Sequence, residues 1–165
     1  MSIDFVPAQA ADLPAIAALA HEIWYEYYVP LIGRAQVDYM VPKFQSAAAM
    51  HEQLRSGYEY FMMQRAAVLV GYVAVQPQPD TESLFISKLY LQRDARGAGT
   101  GRLAMEFIEE LARGRRLKRL WLTVNKGNPA VTAYQRLGFH IAAPIVMDIG
   151  NGFVMDDFRM EKALS

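Results

Sequence analysis

Apolar positions along the chain follow two rhythms. Residues 3–6, apolar except for Asp4, predict a short first strand. From 11 to 28 the period becomes three to four. Leu13, Ile16, Ala17, Ala20, Ile23, Trp24 and Tyr27 share one face, which predicts a helix. Pro14 sits in its first turn, where a missing N–H does no harm. Pro30 and Gly33 then break the chain, and a second helical region spans 36–55, divided near Ser46 and ended by Gly57. Beyond it, 58–65 and 68–75 are rich in aromatic and β-branched residues and predict paired strands, with Pro77 and Pro79 in a following loop. Another strand is expected at 84–91. Residues 99–113 are amphipathic, with Leu103, Phe107, Ile108 and Leu111 on one side of a helix. A strand at 120–124 precedes a helix capped by Asn128, opened by Pro129 and stopped by Gly138. Strands at 139–149 and 153–161 flank Gly150-Asn151-Gly152, a hairpin spacing. The predicted order is β-α-α-β-β-β-α-β-α-β-β. It is a mixed α/β pattern without repeat or linker, read as a single domain over 1–165.

Composition narrows the function. Of 165 residues, 53% are hydrophobic and 21% charged, an ordinary folded composition. Seventeen basic and seventeen acidic residues cancel, so the basic excess of a general nucleic-acid binder is missing. The absence of cysteine excludes disulfides, a cysteine nucleophile and thiolate metal sites. His21, His51 and His140 lack metal-ligand spacing, so no metal is expected. No apolar run approaches the roughly 18 residues of a membrane span, and no basic leader is visible. A cytoplasmic protein with no membrane or nucleic-acid partner is expected.

The most informative segment joins the strand at 84–91 to the helix at 99–113. It reads Arg96-Gly97-Ala98-Gly99-Thr100-Gly101. Glycines let backbone approach a ligand closely, and free N–H groups at a helix start carry the positive end of its dipole. Such a unit suits a phosphate. A Walker loop fails here, because Arg102 stands where its second glycine belongs. The dinucleotide fingerprint fails at the same residue.

The pattern that fits is Gln/Arg-x-x-Gly-x-Gly/Ala, filled by Arg96, Gly99 and Gly101. With VNKGNPAVTAYQRLGF (124–139) following in order, the chain resembles the GNAT superfamily of N-acetyltransferases. That resemblance implies a mostly antiparallel mixed sheet of about seven strands flanked by helices, splayed between the fourth and fifth. It implies acetyl-coenzyme A as co-substrate in the splay. The pantetheine arm would follow the backbone of Leu89, Tyr90 and Leu91. Main-chain N–H groups of Arg96, Gly97, Ala98, Gly99, Thr100, Gly101 and Arg102 would hold the pyrophosphate. Asn125 or Asn128 would contact the coenzyme. Tyr134 matches the family's general acid, and Glu82 or Glu26 is the candidate base.

The implied reaction is acetyl transfer to a primary amine by direct attack in a ternary complex. A small-molecule amine is the expected acceptor, with a homodimer as the oligomeric expectation. The alternatives are a protein or peptide amine, or an acyl-coenzyme A sensor without turnover. Trp24, Glu26 and Tyr28 are expected to wall the acceptor site, together with Tyr25, Tyr27, Tyr39 and Asp38. Aromatic faces beside carboxylates suit an amine cation. Asp156-Asp157 is unusual in a strand and either lines the acceptor mouth or protects a sheet edge. Charge is expected to divide the cleft. Arg96 and the basic run at 113–119 would face coenzyme phosphates, while Glu26, Glu82 and Asp156-Asp157 would face the amine.

Overall fold

The computed structural model describes residues 2–165. Its elements are β1 (Asp4–Pro7), α1 (Leu13–Tyr27), α2 (Val29–Ile32), α3 (Arg34–Phe44), α4 (Ala47–Arg55), β2 (Glu59–Arg65), β3 (Val68–Gln78), β4 (Ser83–Leu91), α5 (Thr100–Gly114), β5 (Arg119–Asn125), α6 (Ala130–Arg136), β6 (His140–Gly150) and β7 (Phe153–Ala163). The strands form one seven-stranded sheet in the order β1-β2-β3-β4-β5-β7-β6. Every pairing is antiparallel except β4–β5. No helix among the described residues is long and apolar enough to cross a membrane.

Local chemistry accounts for the boundaries. Ser46 divides the region 36–55 because its hydroxyl accepts the Ala49 N–H at 3.1 Å, capping α4. Pro77 is a correction: it lies within β3, opposite Leu84, and not in a loop. The β2 partner ends at Glu59 opposite Val75, so beyond that point β3 has an open edge. A residue without an N–H costs no ladder bond there.

Side chains sort to two faces and one end. On one face, Val73, Val75, Leu84, Ile86, Leu120 and Leu122 pack under α5 through Met105, Ile108 and Ala112. On the other, Tyr60, Met62, Tyr72 and Ala74 receive Leu13, Ile16 and Ile23 of α1 and Met50 of α4. A third cluster ties Trp24, Val37, Met40 and Val41 to Ile149, with Phe153 and Met155 packed on it. Those last three belong to the β6–β7 hairpin.

Two irregularities in β4 shape the site. The first is a bulge. Lys88 pairs with Ala74 and Ile86 with Val75, so Ser87 has no partner in register. One extra residue reverses the alternation. Ile86 and Leu89 therefore face α5, whereas Lys88 and Tyr90 face the α1 side. The second is the splay. The parallel ladder to β5 covers only Ser83–Phe85 against Arg119–Trp121. From Ile86 onward β4 keeps β3 on one side and has no strand on the other.

Candidate active site

The diverging strands open a cleft of about 330 Å³. Its sides are Ile86, Ser87, Leu89, Tyr90 and Leu91 from β4 and Leu122–Asn125 from β5. Backbone groups that a continuous sheet would pair are left along both edges. An extended ligand can satisfy them by taking the place of a strand.

One end of the cleft meets the start of α5. Gly97 and Gly99 have φ of +82° and +78°, with Ala98 between them at +50°. Side chains rarely adopt such angles, which explains the glycines. This left-handed run turns a row of amides outward. Among the described residues, the N–H groups of Gly97, Ala98, Gly99, Gly101 and Arg102 have no acceptor within the protein. Gly101 lines the cleft, and a Cβ there would meet nothing within 4 Å. Five free amides at the N-terminus of a 15-residue helix form an anion cradle of the size a pyrophosphate needs. The donor set therefore fits the phosphates of coenzyme A.

Arg96 and Glu26 close over this end. The Arg96 guanidinium donates to both Glu26 oxygens, at 3.2 and 2.5 Å, and its Nε to the Leu91 carbonyl at 3.1 Å. It also lies 4.8 Å from the Tyr27 ring centroid. The guanidinium holds the Glu26 carboxyl below its usual range. A second bridge crosses nearby: Tyr27 Oη donates to Asn128 Oδ1 at 2.6 Å. That oxygen also accepts the Ala130 N–H at 2.9 Å, so it caps α6. Only the NH₂ of Asn128 is left for a ligand. Asn125 similarly spends its Oδ1 on the Gly127 N–H at 2.9 Å.

Tyr134, on α6, lines the cleft from the β5 side. Its ring meets Phe139 edge-on at 5.7 Å. Burial pushes its hydroxyl up to about 12, so it stays protonated at neutral pH. Across the cleft, the Tyr28 and Tyr90 rings meet edge-on at 6.1 Å, and burial raises both hydroxyls well above their ordinary value. Asp157 of β7 stands opposite Asn125 and also lines the cleft, yet is only 4% exposed. Desolvation, reinforced by the neighbouring Asp156 charge, raises its carboxyl to about 6. The nearby Thr123 hydroxyl and the Lys126 charge partly oppose that shift.

The sequence from 18 to 139 matches the model of the acetyltransferase (GNAT) family. The chain belongs to that family. As a GNAT protein it is an acetyl-coenzyme A-dependent acyltransferase. Similar solved structures include a PaiA N-acetyltransferase from Thermoplasma acidophilum in complex with coenzyme A (18% identity, TM-score 0.81, covering 99% of this chain and 100% of that one). A ribosomal-protein-alanine N-acetyltransferase from Brucella melitensis is 24% identical (TM-score 0.66; 99% and 100% covered). A dodecameric spermidine N-acetyltransferase from Vibrio cholerae is 19% identical (TM-score 0.69; 98% and 93% covered). None of the curated protein sequences searched matches this one. At these identities the three structures support the fold: the seven-stranded sheet with parallel β4–β5 pairing is the GNAT arrangement.

Within this GNAT fold, the predicted residues fall into two groups. Tyr134, Leu89, Tyr90, Leu91, Arg96, Gly101, Asn125, Asn128, Trp24 and Tyr28 all line one cleft. Glu82 does not. It sits before β4, where the strands are still paired, and its exposed carboxylate meets Lys118 at 3.1 Å. Glu26 is not free to receive an amine, because Arg96 occupies it. The expected division of charge is corrected as well. Arg113 pairs with Glu109, Arg115 with Glu59 and Lys118 with Glu82. This run follows the C-terminus of α5, about 20 Å from the cradle by helix rise. The sequence reading did not assign Met40, Gln36, Ile32 and Met155 to the acceptor wall. Only Asp157 had left a trace, as an aspartate out of place in a strand.

Proposed function

We propose that this chain, acting as one domain over 1–165, acetylates a small primary amine within a ternary complex. The observation that carries the reading is one cleft that Gly101, at the cradle of free amides, lines together with Tyr134 and the buried Asp157 carboxylate. Bound acetyl-coenzyme A supplies the thioester carbonyl that the amine attacks. The free amides of Gly97, Ala98, Gly99, Gly101 and Arg102 hold its phosphates, and the open edge of β4 aligns its arm. Asp157 faces the amine. A carboxylate near pKa 6 is ionised at neutral pH and more basic than a surface aspartate, so it orients the ammonium and accepts its proton. As the N–C bond forms and the C–S bond breaks, Tyr134 delivers a proton to the departing sulfur and is reprotonated by the second proton, which the acylated nitrogen sheds. The dry cleft that raises the tyrosine also raises a thiolate, which keeps donor and acceptor matched.

A small acceptor is favoured over a peptide because α3 is tied to the β6–β7 hairpin beside the acceptor wall. Gln36 Nε2 donates to the Val154 carbonyl at 2.9 Å, and Tyr39 Oη and Lys43 Nζ both donate to the Ile149 carbonyl, at 2.6 and 2.7 Å. A polypeptide leaving the cleft between α3 and the hairpin would have to part these bonds.

Thiol release with an amine panel tests the whole. Tyr134→Phe should lower kcat by about a hundredfold or more, the usual share of a general acid, at unchanged coenzyme affinity. An unchanged kcat removes Tyr134 from the mechanism. Gly101→Val should abolish coenzyme binding while the fold persists, since the added atoms meet only the ligand's space. Undiminished binding removes the cradle. Coenzyme binding without thiol release from any amine would favour a sensor.

A further inference from the structure

The acceptor half of the cleft offers a small choice of charges. Glu26 is taken by Arg96. Asp38 accepts the Tyr25 hydroxyl, and Asp156 pairs with Lys126 at 2.8 Å. Arg96, the cation on the cleft wall, is held by Glu26. What remains is one buried carboxylate, Asp157, which forms no ion pair among the described residues. Around it the wall is mostly apolar or aromatic, with Trp24 and Tyr28 stacked at 4.2 Å beside Ile32, Met40 and Met155, and its other polar groups, Gln36 and Thr123 among them, carry no charge.

We infer that the acceptor is a primary monoamine carrying an apolar, preferably aromatic, body, with its ammonium at Asp157 and its body against Trp24 and Tyr28. The inference rests on the acetyl-transfer reading of the same cleft. Each competing class fails on a specific group. A diamine or polyamine would bury a second ammonium against Ile32, Met40 or Met155, where nothing compensates its lost hydration. An α-amino acid would set its carboxylate beside Asp157, a like charge, with no free cation to receive it. An aminoglycoside would strip water from more hydroxyls than the few polar groups of this wall can hydrogen-bond. An aromatic ring instead gains stacked contact area on Trp24 and Tyr28.

Two readouts separate this inference from the reading beneath it. The first is calorimetric binding of 2-phenylethylamine, hexylamine, spermidine, phenylalanine and kanamycin to the coenzyme A-saturated protein. The second is thiol release from acetyl-coenzyme A with the same probes. The two monoamines should bind at least about tenfold more tightly than the other three, and kcat/KM should follow that order. Asp157→Asn should weaken 2-phenylethylamine by about tenfold or more with coenzyme affinity intact. Gln36→Glu adds a second carboxylate of equal shape to the same wall and should raise spermidine turnover relative to 2-phenylethylamine. Spermidine, phenylalanine or kanamycin binding as well as the monoamines would overturn the inference even with acetyl transfer proceeding. Selective monoamine binding without thiol release would uphold the acceptor class and overturn the transfer reading.

Discussion

Replacing Lys88 with methionine should flatten the alkaline rise of this protein's stability. Lys88 is 4% exposed and has no carboxylate partner. Its Nζ donates to the Phe44 carbonyl at 2.5 Å and to Tyr60 Oη at 2.7 Å. Desolvation lowers its pKa to about 7 from an ordinary 10.5. Because the folded-state value is the depressed one, the folded protein binds that proton less tightly than the unfolded chain. Stability from Lys88 is thus fullest above the unfolded pKa and is lost as pH falls toward the folded value. Each pH unit in this window is worth about 1.4 kcal/mol, so the shift spans about 5 kcal/mol, and about 3 kcal/mol falls between roughly pH 7 and pH 9. Methionine fills the stem's space but leaves Phe44 and Tyr60 without a donor, at a cost of about 1–3 kcal/mol that does not vary with pH. Urea unfolding of both proteins across that range, at constant m-value, separates the two effects. Equal pH slopes in wild type and variant would refute the assignment of a buried, readily neutralised amine at this position.

Asp157→Asn carries opposite consequences for rate and stability. The wild-type kcat/KM should climb as pH rises through about 6, and the variant should lose that limb along with most of its turnover. The folded pKa of this acid is raised, so the wild type loses about 3 kcal/mol as pH rises from about 4 through 6. Asparagine does not, so at neutral pH the variant should melt higher; a lower Tm would count against a desolvated carboxylate. At Gly71, an alanine Cβ would lie 2.6 Å from the Tyr90 carbonyl oxygen and 2.8 Å from Leu91. Gly71→Ala should cost about 1–3 kcal/mol and weaken coenzyme binding by displacing β4, and an unchanged denaturation midpoint would disprove that crowding. Ser46→Ala removes the α4 cap and should cost about 1 kcal/mol in chemical denaturation, whereas a loss near zero would mean that solvent caps the helix equally well.

Elements whose cause is local could be read from the sequence. The glycines at 97 and 99 mark a turn and a helix start because side chains are costly there, and Ser46 and Asn128 announce helix ends through their own hydrogen bonds. Features set by distant strands could not. Pro77 lies in a strand because β2 happens to end opposite Val75, which no neighbour of Pro77 records. The bulge at Ser87 carries no glycine or proline to signal it, although it decides that Lys88 is buried on the α1 side. Glu82 looks adjacent to the thioester in sequence, but the strands have not yet parted there. The apolar acceptor wall joins α1 and α3 to β7, more than a hundred residues further along, so periodicity within any one of them is silent. The same holds for Glu26, whose partner Arg96 arrives from another element.

The brief ladder between β4 and β5 bears on how this protein responds to supply. Only Ser83–Phe85 and Arg119–Trp121 join four strands on one side to three on the other. The molecule is bound like a book along a short spine, and whatever lies between the leaves becomes part of the binding. Occupancy at a hundredfold excess over the dissociation constant adds about 2.7 kcal/mol to the folded state, a sizeable share of a small protein's total stability. The resistance of this chain to heat and proteolysis is therefore tied to the abundance of the metabolite that completes its sheet. When acyl donors run short, the enzyme becomes easier to destroy at the moment it has least to do.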